Sequence, residues 1–251
     1  MLEQKVTANP DEFSGQIAVI TGSGSGIGKS VAMALAARGA TVCLLGRNLV
    51  RLHKICDEIA KTGGRAQCYQ VDLTQDKDVQ QLQRRIRGDF GEIDILIHSA
   101  GTIALGGIEG PAVEDFDQQY RINVRAVFCL TQGLLPFLKT RRGQIVFFNS
   151  SAGLIANANA LQYSATKHAL KAIADSMREE VNPIGLRVLS VYVGRTATSM
   201  QARLHSIEGK TYRPERLLQP EDVASVVLNA LSLPRTAEVT DITIRPLTKP
   251  S

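Results

Sequence analysis

The chain has 251 residues, of which 44% are hydrophobic and 21% charged, so it can bury a substantial core and is not a wholly disordered chain. Its net charge of +5 comes from lysines and arginines dispersed among acidic residues, which argues against a nucleic-acid partner. The opening residues lack the apolar core of a signal peptide, and no apolar run approaches the ~18 residues of a membrane span. These features predict a cytoplasmic protein without a membrane partner.

The cysteines and histidines show no spacing that indicates a cross-link or a metal site. The four cysteines contain no Cys-x-x-Cys pair and lie among apolar neighbours, so we expect reduced thiols, as in the cytoplasm. The histidines are scattered without the spacing of metal ligands, and no metal is predicted. The cysteines are Cys43, Cys56, Cys68 and Cys129.

Strand and helix signals alternate along the chain, which predicts a parallel sheet covered on both faces. The predicted strands are 16–21, 41–45, 66–71, 93–98, 144–149, 186–193 and 240–245. The predicted helices are 27–38, 49–62, 77–90, 113–139, one that carries Tyr163 and ends near 181, and 220–231. Residues 196–219 are predicted to be irregular and polar. The fold class is therefore α/β, a doubly wound parallel seven-stranded sheet. It forms a single domain, 15–251, after an N-terminal extension, 1–14.

A glycine-rich loop joins the first predicted strand to the first predicted helix. It reads Thr21-Gly-Ser-Gly-Ser-Gly-Ile-Gly28, with four glycines in seven residues. In this context glycines let a pyrophosphate approach the N–H groups at a helix N-terminus. The glycines depart from the strict Gly-x-Gly-x-x-Gly register, and a flexible turn is the alternative. The predicted nucleotide contacts are Gly22, Ser23, Gly24, Ser25, Gly26, Ile27 and Gly28.

The end of the second predicted strand indicates which dinucleotide would bind. An acidic residue about 20 residues beyond the loop commonly binds the adenosine ribose. The first acid after Gly28 is Asp57, and the strand ends instead in Gly46-Arg47-Asn48. The Arg47 guanidinium could bind a 2′-phosphate, so NADP(H) is predicted over NAD(H); an ordinary surface arginine is the alternative.

A phenol and an ammonium lie four residues apart at Tyr163 and Lys167, on one face of a predicted helix. A nearby cation favours the phenolate and lowers the pKa of a tyrosine from its usual value near 10. The pair is therefore a candidate for proton transfer. An amphipathic surface pair is the alternative.

Taken together, these motifs resemble the short-chain dehydrogenase/reductase family across nearly the entire chain. The glycine loop is similar to the family's Thr-Gly-x-x-x-Gly-x-Gly, and Asn123 to its active-site asparagine. Ser150 lies thirteen residues before Tyr163, as the family's catalytic serine does, which favours it over Ser151. The resemblance implies a Rossmann fold and a catalytic set of Asn123, Ser150, Tyr163 and Lys167.

The resemblance also implies cofactor contacts beyond the glycine loop, and some of them depart from the family pattern. His98-Ser-Ala-Gly101 takes the place of Asn-Asn-Ala-Gly, so the turn there must find different hydrogen bonds. Val193 replaces the family's usual proline, which precedes the glycine of the segment beside the nicotinamide; here that glycine is Gly194. The implied contacts are Arg47, Asn48, Asp72, Leu73, Ser99, Ala100, Gly101, Tyr163, Lys167, Gly194, Thr196 and Thr198.

The function implied is that of an NADP(H)-dependent oxidoreductase that transfers a hydride between nicotinamide and a carbonyl or secondary alcohol. Tyr163 would act as general acid/base, Ser150 would orient the substrate oxygen, and Lys167 would bind the ribose and stabilise the phenolate. Asn123 would hold a water that links Lys167 to solvent. A 3-ketoacyl-thioester reductase and a catalytically inactive nucleotide-binding scaffold are the alternatives.

The expected partners are a small-molecule carbonyl or alcohol substrate and further copies of the chain. The resemblance implies a homodimer or homotetramer in which the long helices pack across a dimer axis. Residues 196–219 are expected to cover the substrate as a lid, with a plain surface loop as the alternative. The possible apolar contacts of this lid are Met200, Leu204, Ile207 and Tyr212.

Overall fold

A computed structural model describes residue 9 and residues 11–248. The rest of the predicted extension, 1–8 and 10, lies outside the described residues, as do 249–251. Seven strands form one sheet in the order β3-β2-β1-β4-β5-β6-β7, and every neighbouring pair is parallel. The predicted fold class is confirmed. The strands are β1 Ile17–Thr21, β2 Thr41–Gly46, β3 Arg65–Gln70, β4 Ile95–His98, β5 Gln144–Ser150, β6 Arg187–Val193 and β7 Asp241–Ile244.

Helices cover both faces of the sheet, as the alternation of the strand residues requires. In β1, Ala18 and Ile20 pack into one apolar cluster and Val19 into the other. Helices α1, α2 and α8 supply the first cluster, and α3, α5 and α6 the second. None of the described helices is long and apolar enough to cross a membrane. The helices are α1 Gly26–Ala36, α2 Leu49–Lys61, α3 Asp76–Asp89, α4 Val113–Tyr120, α5 Ala126–Arg141, α6 Leu161–Val181, α7 Ser199–Ile207 and α8 Pro220–Leu231.

The order of the strands decides where a ligand can bind. The chain runs outward from β1 to β3, then returns to place β4 on the other side of β1. The loops that follow β1 and β4 therefore leave the sheet in opposite directions and open a crevice at the carboxyl ends of the strands. The glycine loop follows β1 directly, so it borders that crevice.

The predicted helix 113–139 is wrong in one respect, because it is interrupted by a π-helical turn at Arg121–Arg125. This turn separates α4 from α5 and contains Asn123. The backbone stays in the right-handed helical region on both sides of the turn, so the two helices remain continuous. Such turns are rare and occur often at functional sites. The apolar periodicity of the sequence shows the helix but not this local change of hydrogen bonding.

The prediction that 196–219 is irregular is also wrong, because this segment contains α7 and a short 3₁₀ turn at Pro214–Arg216. The Thr198 hydroxyl caps α7 by accepting from the N–H of Gln201 at 3.3 Å. Leu204 and His205 are buried at helical spacing from Gln201. The polar composition of the segment masks this short apolar face.

The expectation of four reduced cysteines is wrong in this structure, which joins Cys56 to Cys68 by a disulfide. Cys56 lies in α2 and Cys68 in β3, twelve residues further along the chain. Because α2 returns antiparallel to the strand that follows it, it brings the two side chains together across the edge of the sheet. The bond ties α2 to β3, while Cys43 and Cys129 are free thiols.

Alkylation of the native protein tests this pairing. Without reductant we expect one label, on Cys129, because Cys43 is fully buried and burial raises the pKa of its thiol. After mild reduction we expect two further labels, on the partly exposed Cys56 and Cys68. Intact-mass spectrometry with peptide mapping gives both counts. Labelling of Cys56 and Cys68 before reduction would contradict the disulfide, and a Cys56→Ser variant controls for accessibility.

Candidate active site

A cleft of about 1180 Å³ opens at the carboxyl ends of the strands. It brings together the glycine loop, the end of β2, the loop after β4, the end of β5, the start of α6 and the segment after β6. Most of the predicted site residues border it. They are Gly22, Gly24, Ser25, Gly26, Ile27, Arg47, Asn48, Asp72, Leu73, Ser99, Ala100, Gly101, Ser150, Tyr163, Lys167, Gly194, Thr196 and Thr198.

Three predicted residues lie behind the wall of the cleft. Ser23 is fully buried and its hydroxyl donates to the Leu45 carbonyl at 3.3 Å. Gly28 packs against Gly22, and a Cβ at Gly28 would lie 2.6 Å from the Gly22 carbonyl oxygen. Asn123 is 1% exposed. In this structure these three residues support the wall of the cleft but do not border the cleft itself.

The glycine loop packs directly against the loop that follows β4. Gly22 has a φ of +66°, and a Cβ there would lie 2.8 Å from the Ala100 backbone, so a side chain cannot be accommodated. The first turn of α1 begins at Gly26, and within the described chain no side chain caps it at Ser25. Its N–H groups at the edge of the cleft are therefore available to an anion.

Thr21 is a structural residue of the site that the sequence reasoning did not single out. Its hydroxyl oxygen accepts from the N–H groups of Ser99 and Ala100, both at 3.0 Å, and donates to the Ile97 carbonyl at 3.3 Å. It thereby fixes the turn after β4 to the end of β1. These bonds use backbone N–H groups of the turn, so they do not depend on the side chains of His98 and Ser99. The position of Thr21, first in the glycine motif, is the signal that could have identified it.

His98 occupies the core beside this turn and does not enter the cleft. Its Nε2 hydrogen-bonds the Thr131 hydroxyl at 2.8 Å, and its ring stacks on Phe147 with 5.2 Å between centroids. The side chain is 3% exposed, and burial lowers the pKa of His98 to about 3. The imidazole is therefore neutral at physiological pH and serves as a packed, hydrogen-bonded core residue.

The end of the cleft that borders β2 carries two exposed arginines. Arg47 was predicted, whereas Arg51, one turn into α2, was missed; both border the cleft. The Asn48 side chain caps α2 by accepting from the Arg51 N–H at 3.0 Å. The Asp72 carboxylate accepts from the N–H and hydroxyl of Thr74, so it stabilises its own turn. The sequence signal for Arg51 was its spacing of four residues from Arg47.

Ser150, Tyr163 and Lys167 converge at the other end of the cleft. Ser150 ends β5, and its side chain interacts with the Tyr163 phenol closely enough to lower the pKa of that group in part. Lys167 is 6% exposed, its Nζ donates to the Phe148 carbonyl at 2.9 Å, and burial lowers the pKa of Lys167 to about 8. The Lys167 Nζ lies 5.7 Å from the centre of the Tyr163 ring.

The expected lowering of the pKa of Tyr163 by Lys167 is not found in this structure. Burial raises the pKa of Tyr163, and the hydrogen bond from Ser150 lowers it by less. The Lys167 ammonium is directed at the Phe148 carbonyl. Desolvation therefore outweighs the interactions that favour the phenolate, and the phenol is protonated at neutral pH.

Asn123 braces the site through three hydrogen bonds. Its amide nitrogen donates to the Thr102 carbonyl at 2.9 Å and to the Thr166 hydroxyl at 3.1 Å. Its amide oxygen accepts from the Thr102 N–H at 2.9 Å. The π-helical turn, the loop after β4 and α6 are held together by this one side chain. Its proposed link to a water stays a prediction.

The segment after β6 contributes residues to the wall of the cleft. Met200, Leu204 and Ile207 of the suggested apolar contacts border the cleft, whereas Tyr212 packs edge-on against His205 at 5.4 Å. Arg203, from the exposed side of α7, donates to the Ile103 carbonyl at 3.1 Å. This bond connects α7 to the loop after β4.

An ion-pair cluster holds the end of α7 to the segment that follows β6. Arg195 and Glu208 are 2.8 Å apart, and Lys210 approaches the same carboxylate at 3.2 Å. All three residues border the cleft. The two cations hold the pKa of Glu208 below its usual value.

Comparison with known proteins places this chain in a family. The family model for short chain dehydrogenase matches residues 16–209. An uncharacterized oxidoreductase of Staphylococcus aureus strain MRSA252 is 32% identical over 235 residues, which cover 92% of this chain and 97% of that protein. The chain belongs to the short-chain dehydrogenase/reductase family and is an oxidoreductase of that family.

Two solved structures share the complete fold. A proposed short chain dehydrogenase from Shigella flexneri 2a, complexed with NADP, is 32% identical with a TM-score of 0.86, covering 93% of this chain and 98% of that one. An alcohol dehydrogenase from the archaeon Thermococcus sibiricus, complexed with 5-hydroxy-NADP, is 25% identical with a TM-score of 0.85, covering 94% and 99%. Both structures contain a nicotinamide dinucleotide.

The depressed pKa of His98 predicts a pH-dependent loss of stability. The native pKa of about 3 lies below the unfolded value near 6.5, so the stabilisation is complete above pH 6.5 and is lost as the pH falls towards 3. Between pH 7 and pH 5 the wild type should lose about 2 kcal/mol of unfolding free energy from this group.

Urea unfolding at both pH values gives the measurement. The His98→Asn variant should lose less stability than the wild type between pH 7 and 5, whatever its stability at pH 7. The exposed His53 provides a matched His53→Asn control, which should behave as the wild type does. Equal losses in all three proteins would contradict the assignment of the titration to His98.

Proposed function

We propose that the protein is an NADP(H)-dependent reductase of carbonyl compounds, or the corresponding alcohol dehydrogenase, with Tyr163 as the general acid/base. The observation that carries the proposal is the convergence of Ser150, Tyr163 and Lys167 in the cleft bordered by the glycine loop. A nucleotide-binding scaffold needs the glycine loop but has no use for a hydroxyl, a phenol and an ammonium at the opposite end. This argues for turnover.

The residues present fit a nicotinamide dinucleotide. The glycine loop has no room for side chains where it meets the loop after β4, and the uncapped first turn of α1 offers N–H groups to a pyrophosphate. Arg47 would bind an adenosine 2′-phosphate, and Lys167 would hold the nicotinamide ribose. When bound, the nicotinamide supplies or accepts the hydride at the substrate carbon.

The protein's own part is to place the substrate oxygen and supply its proton. Tyr163 holds a proton at its phenol oxygen at neutral pH, because burial raises the pKa of that group. The Ser150 hydroxyl contacts the same phenol, so it would orient the substrate carbonyl towards the donor. A phenol that retains its proton is suited to donate it, which makes reduction the proposed direction.

The preference for NADP(H) is proposed from the charge of the end of the cleft that borders β2. Arg47 and Arg51 are exposed at the cleft, and the Asp72 carboxylate beside them is engaged by Thr74. A 2′-phosphate bound at this end of the cleft would be attracted by two guanidinium groups, which favours its binding. The NADP in the Shigella protein and the 5-hydroxy-NADP in the Thermococcus enzyme agree with this preference.

Two further predictions from the resemblance stay proposals. The protein is proposed to form a homodimer or homotetramer. Residues 196–219 are proposed to act as a lid over the substrate, with α7 held to the loop after β4 by Arg203.

Replacing Tyr163 by Phe tests the proposed chemistry. It removes the proton donor and leaves the glycine loop, Arg47 and Lys167 in place, so turnover should fall by about 10²-fold or more while NADPH affinity stays near that of the wild type. NADPH oxidation is followed at 340 nm with a panel of ketones, aldehydes and thioester-linked 3-keto acids, and NADPH binding by fluorescence titration.

The exposed Tyr120 of α4 offers a matched Tyr120→Phe control, which should retain activity. If the wild type binds NADPH but reduces no member of the panel, the scaffold alternative is favoured. If only the thioesters react, the 3-ketoacyl-thioester reductase is favoured. Undiminished turnover in Tyr163→Phe would contradict the role of Tyr163.

Replacing Arg47 by Gln tests the cofactor preference. Loss of the charged contact should weaken NADPH binding by about 10- to 100-fold, because hydrogen bonds to charged groups contribute roughly 1.5–3 kcal/mol. NADH binding should change little, since NADH lacks the 2′-phosphate. Fluorescence titrations with both cofactors measure the ratio, and Arg84→Gln on the exposed face of α3 is the control. Equal weakening of NADPH and NADH would contradict the assignment.

A further inference from the structure

We propose that Asn149 is a positioning residue that sets the geometry between Ser150 and Lys167 through one buried side-chain amide. The proposal rests on the proposed function, because it concerns the proton-transfer group of that reaction. Asn149 was not among the residues that sequence reasoning selected. It lies on β5 immediately before Ser150 and is 5% exposed.

The two ends of the Asn149 amide contact the two elements of the site. Its oxygen accepts from the Ser150 N–H at 2.8 Å, and its nitrogen donates to the Lys167 carbonyl at 3.1 Å. One side chain therefore bonds the backbone of the serine and the backbone of the lysine. A shift of β5 against α6 has to stretch one of these two bonds.

Phe148 holds Lys167 from the neighbouring position of the same strand. The Phe148 carbonyl accepts from the Lys167 Nζ at 2.9 Å. Consecutive residues of β5 thus bind Lys167 at its side-chain end and at its backbone. These contacts fix the position of the Lys167 ammonium and of α6 relative to the strand that ends in Ser150. Tyr163, one turn before Lys167, is held in the same way.

The turn after Ser150 is shaped to the Asn149 amide. A Cβ at Gly153 would lie 2.5 Å from the Asn149 oxygen and 2.9 Å from the Lys167 carbonyl oxygen, so only glycine lets the turn pack here. The Ser150 hydroxyl in turn accepts from the Ala152 N–H at 3.2 Å. The amide is therefore enclosed by the catalytic strand, the turn and α6.

The chemistry of the position requires an amide. The side chain must accept at one end and donate at the other, which an aspartate cannot do when ionised and a leucine cannot do at all. Both variants approximate the size of asparagine. Leucine breaks the link between Ser150 and Lys167, and aspartate breaks it in its ionised form. Because the site is buried, the group left without a partner is not compensated by solvent.

The pKa of Tyr163 provides a measurement that does not depend on turnover. The Ser150 hydrogen bond lowers the pKa of this phenol, so a Ser150 released from Asn149 should let it rise. Tyrosinate absorbance is titrated in the wild type and in Asn149→Leu, each against the same protein with Tyr163→Phe, which isolates one phenol among five tyrosines. We expect an upward shift in Asn149→Leu.

Steady-state kinetics give the second measurement. Asn149→Leu and Asn149→Asp should lower kcat by roughly 10- to 100-fold, because a misplaced catalytic group loses its reactive geometry, while NADPH affinity changes far less. The exposed Asn229 on α8 supplies matched Asn229→Leu and Asn229→Asp controls, which should retain the wild-type kcat and phenol pKa. Thermal unfolding confirms that each variant is folded under the assay conditions.

The outcomes separate this proposal from the proposed function. A wild type without turnover removes the reductase, yet the phenol titration still decides the role of Asn149. A folded Asn149→Leu with an unshifted Tyr163 pKa overturns the positioning role, and so does a folded variant with wild-type kcat. Should either variant fail to fold, the other is used; if neither folds, the amide is a requirement of the fold and the proposal is overturned.

Discussion

The contact between the end of β5 and the middle of α6 is the constraint on which the candidate site depends. Lys167 carries its ammonium into a buried position, where the charged form is disfavoured and the pKa falls to about 8. The Phe148 carbonyl and the enclosed Asn149 amide hold it there. This contact also brings Tyr163 close to Ser150. Tyr163 lies one turn before Lys167 on α6, and Ser150 directly follows Asn149 on β5.

The rest of the cleft depends on close backbone packing between loops that are distant in sequence. Thr21 bonds two N–H groups after β4, and Gly22 lies against Ala100 without room for a side chain. These contacts bring the glycine loop to the same edge of the sheet as Ser150 and Tyr163. The strand order makes this possible, since β1 and β4 are neighbours while their loops diverge.

The parts of the structure that depend on local pattern could be predicted from the sequence. Buried strands such as β1 and β5 appear as apolar runs, and the glycine loop and the spacing from Ser150 to Tyr163 are readable directly. Features that depend on distant contacts could not. The residues around Asn149 are those of an ordinary end of a strand and give no sign of a special role. Only the fold shows that its amide reaches the Lys167 carbonyl. The disulfide likewise depends on how α2 packs on β3.

The proton of Tyr163 shows why the spacing of two residues in a motif can lead to a wrong electrostatic argument. The sequence places a cation four residues from the phenol, and that proximity alone predicts a lower pKa. The fold adds burial, which raises the pKa, and directs the ammonium to the Phe148 carbonyl. Only the Ser150 hydrogen bond opposes the effect of burial. Burial therefore decides the protonation state of the phenol, and the Ser150 interaction only moderates it. Neither the burial nor the contact between β5 and α6 can be deduced from the spacing of residues in the sequence.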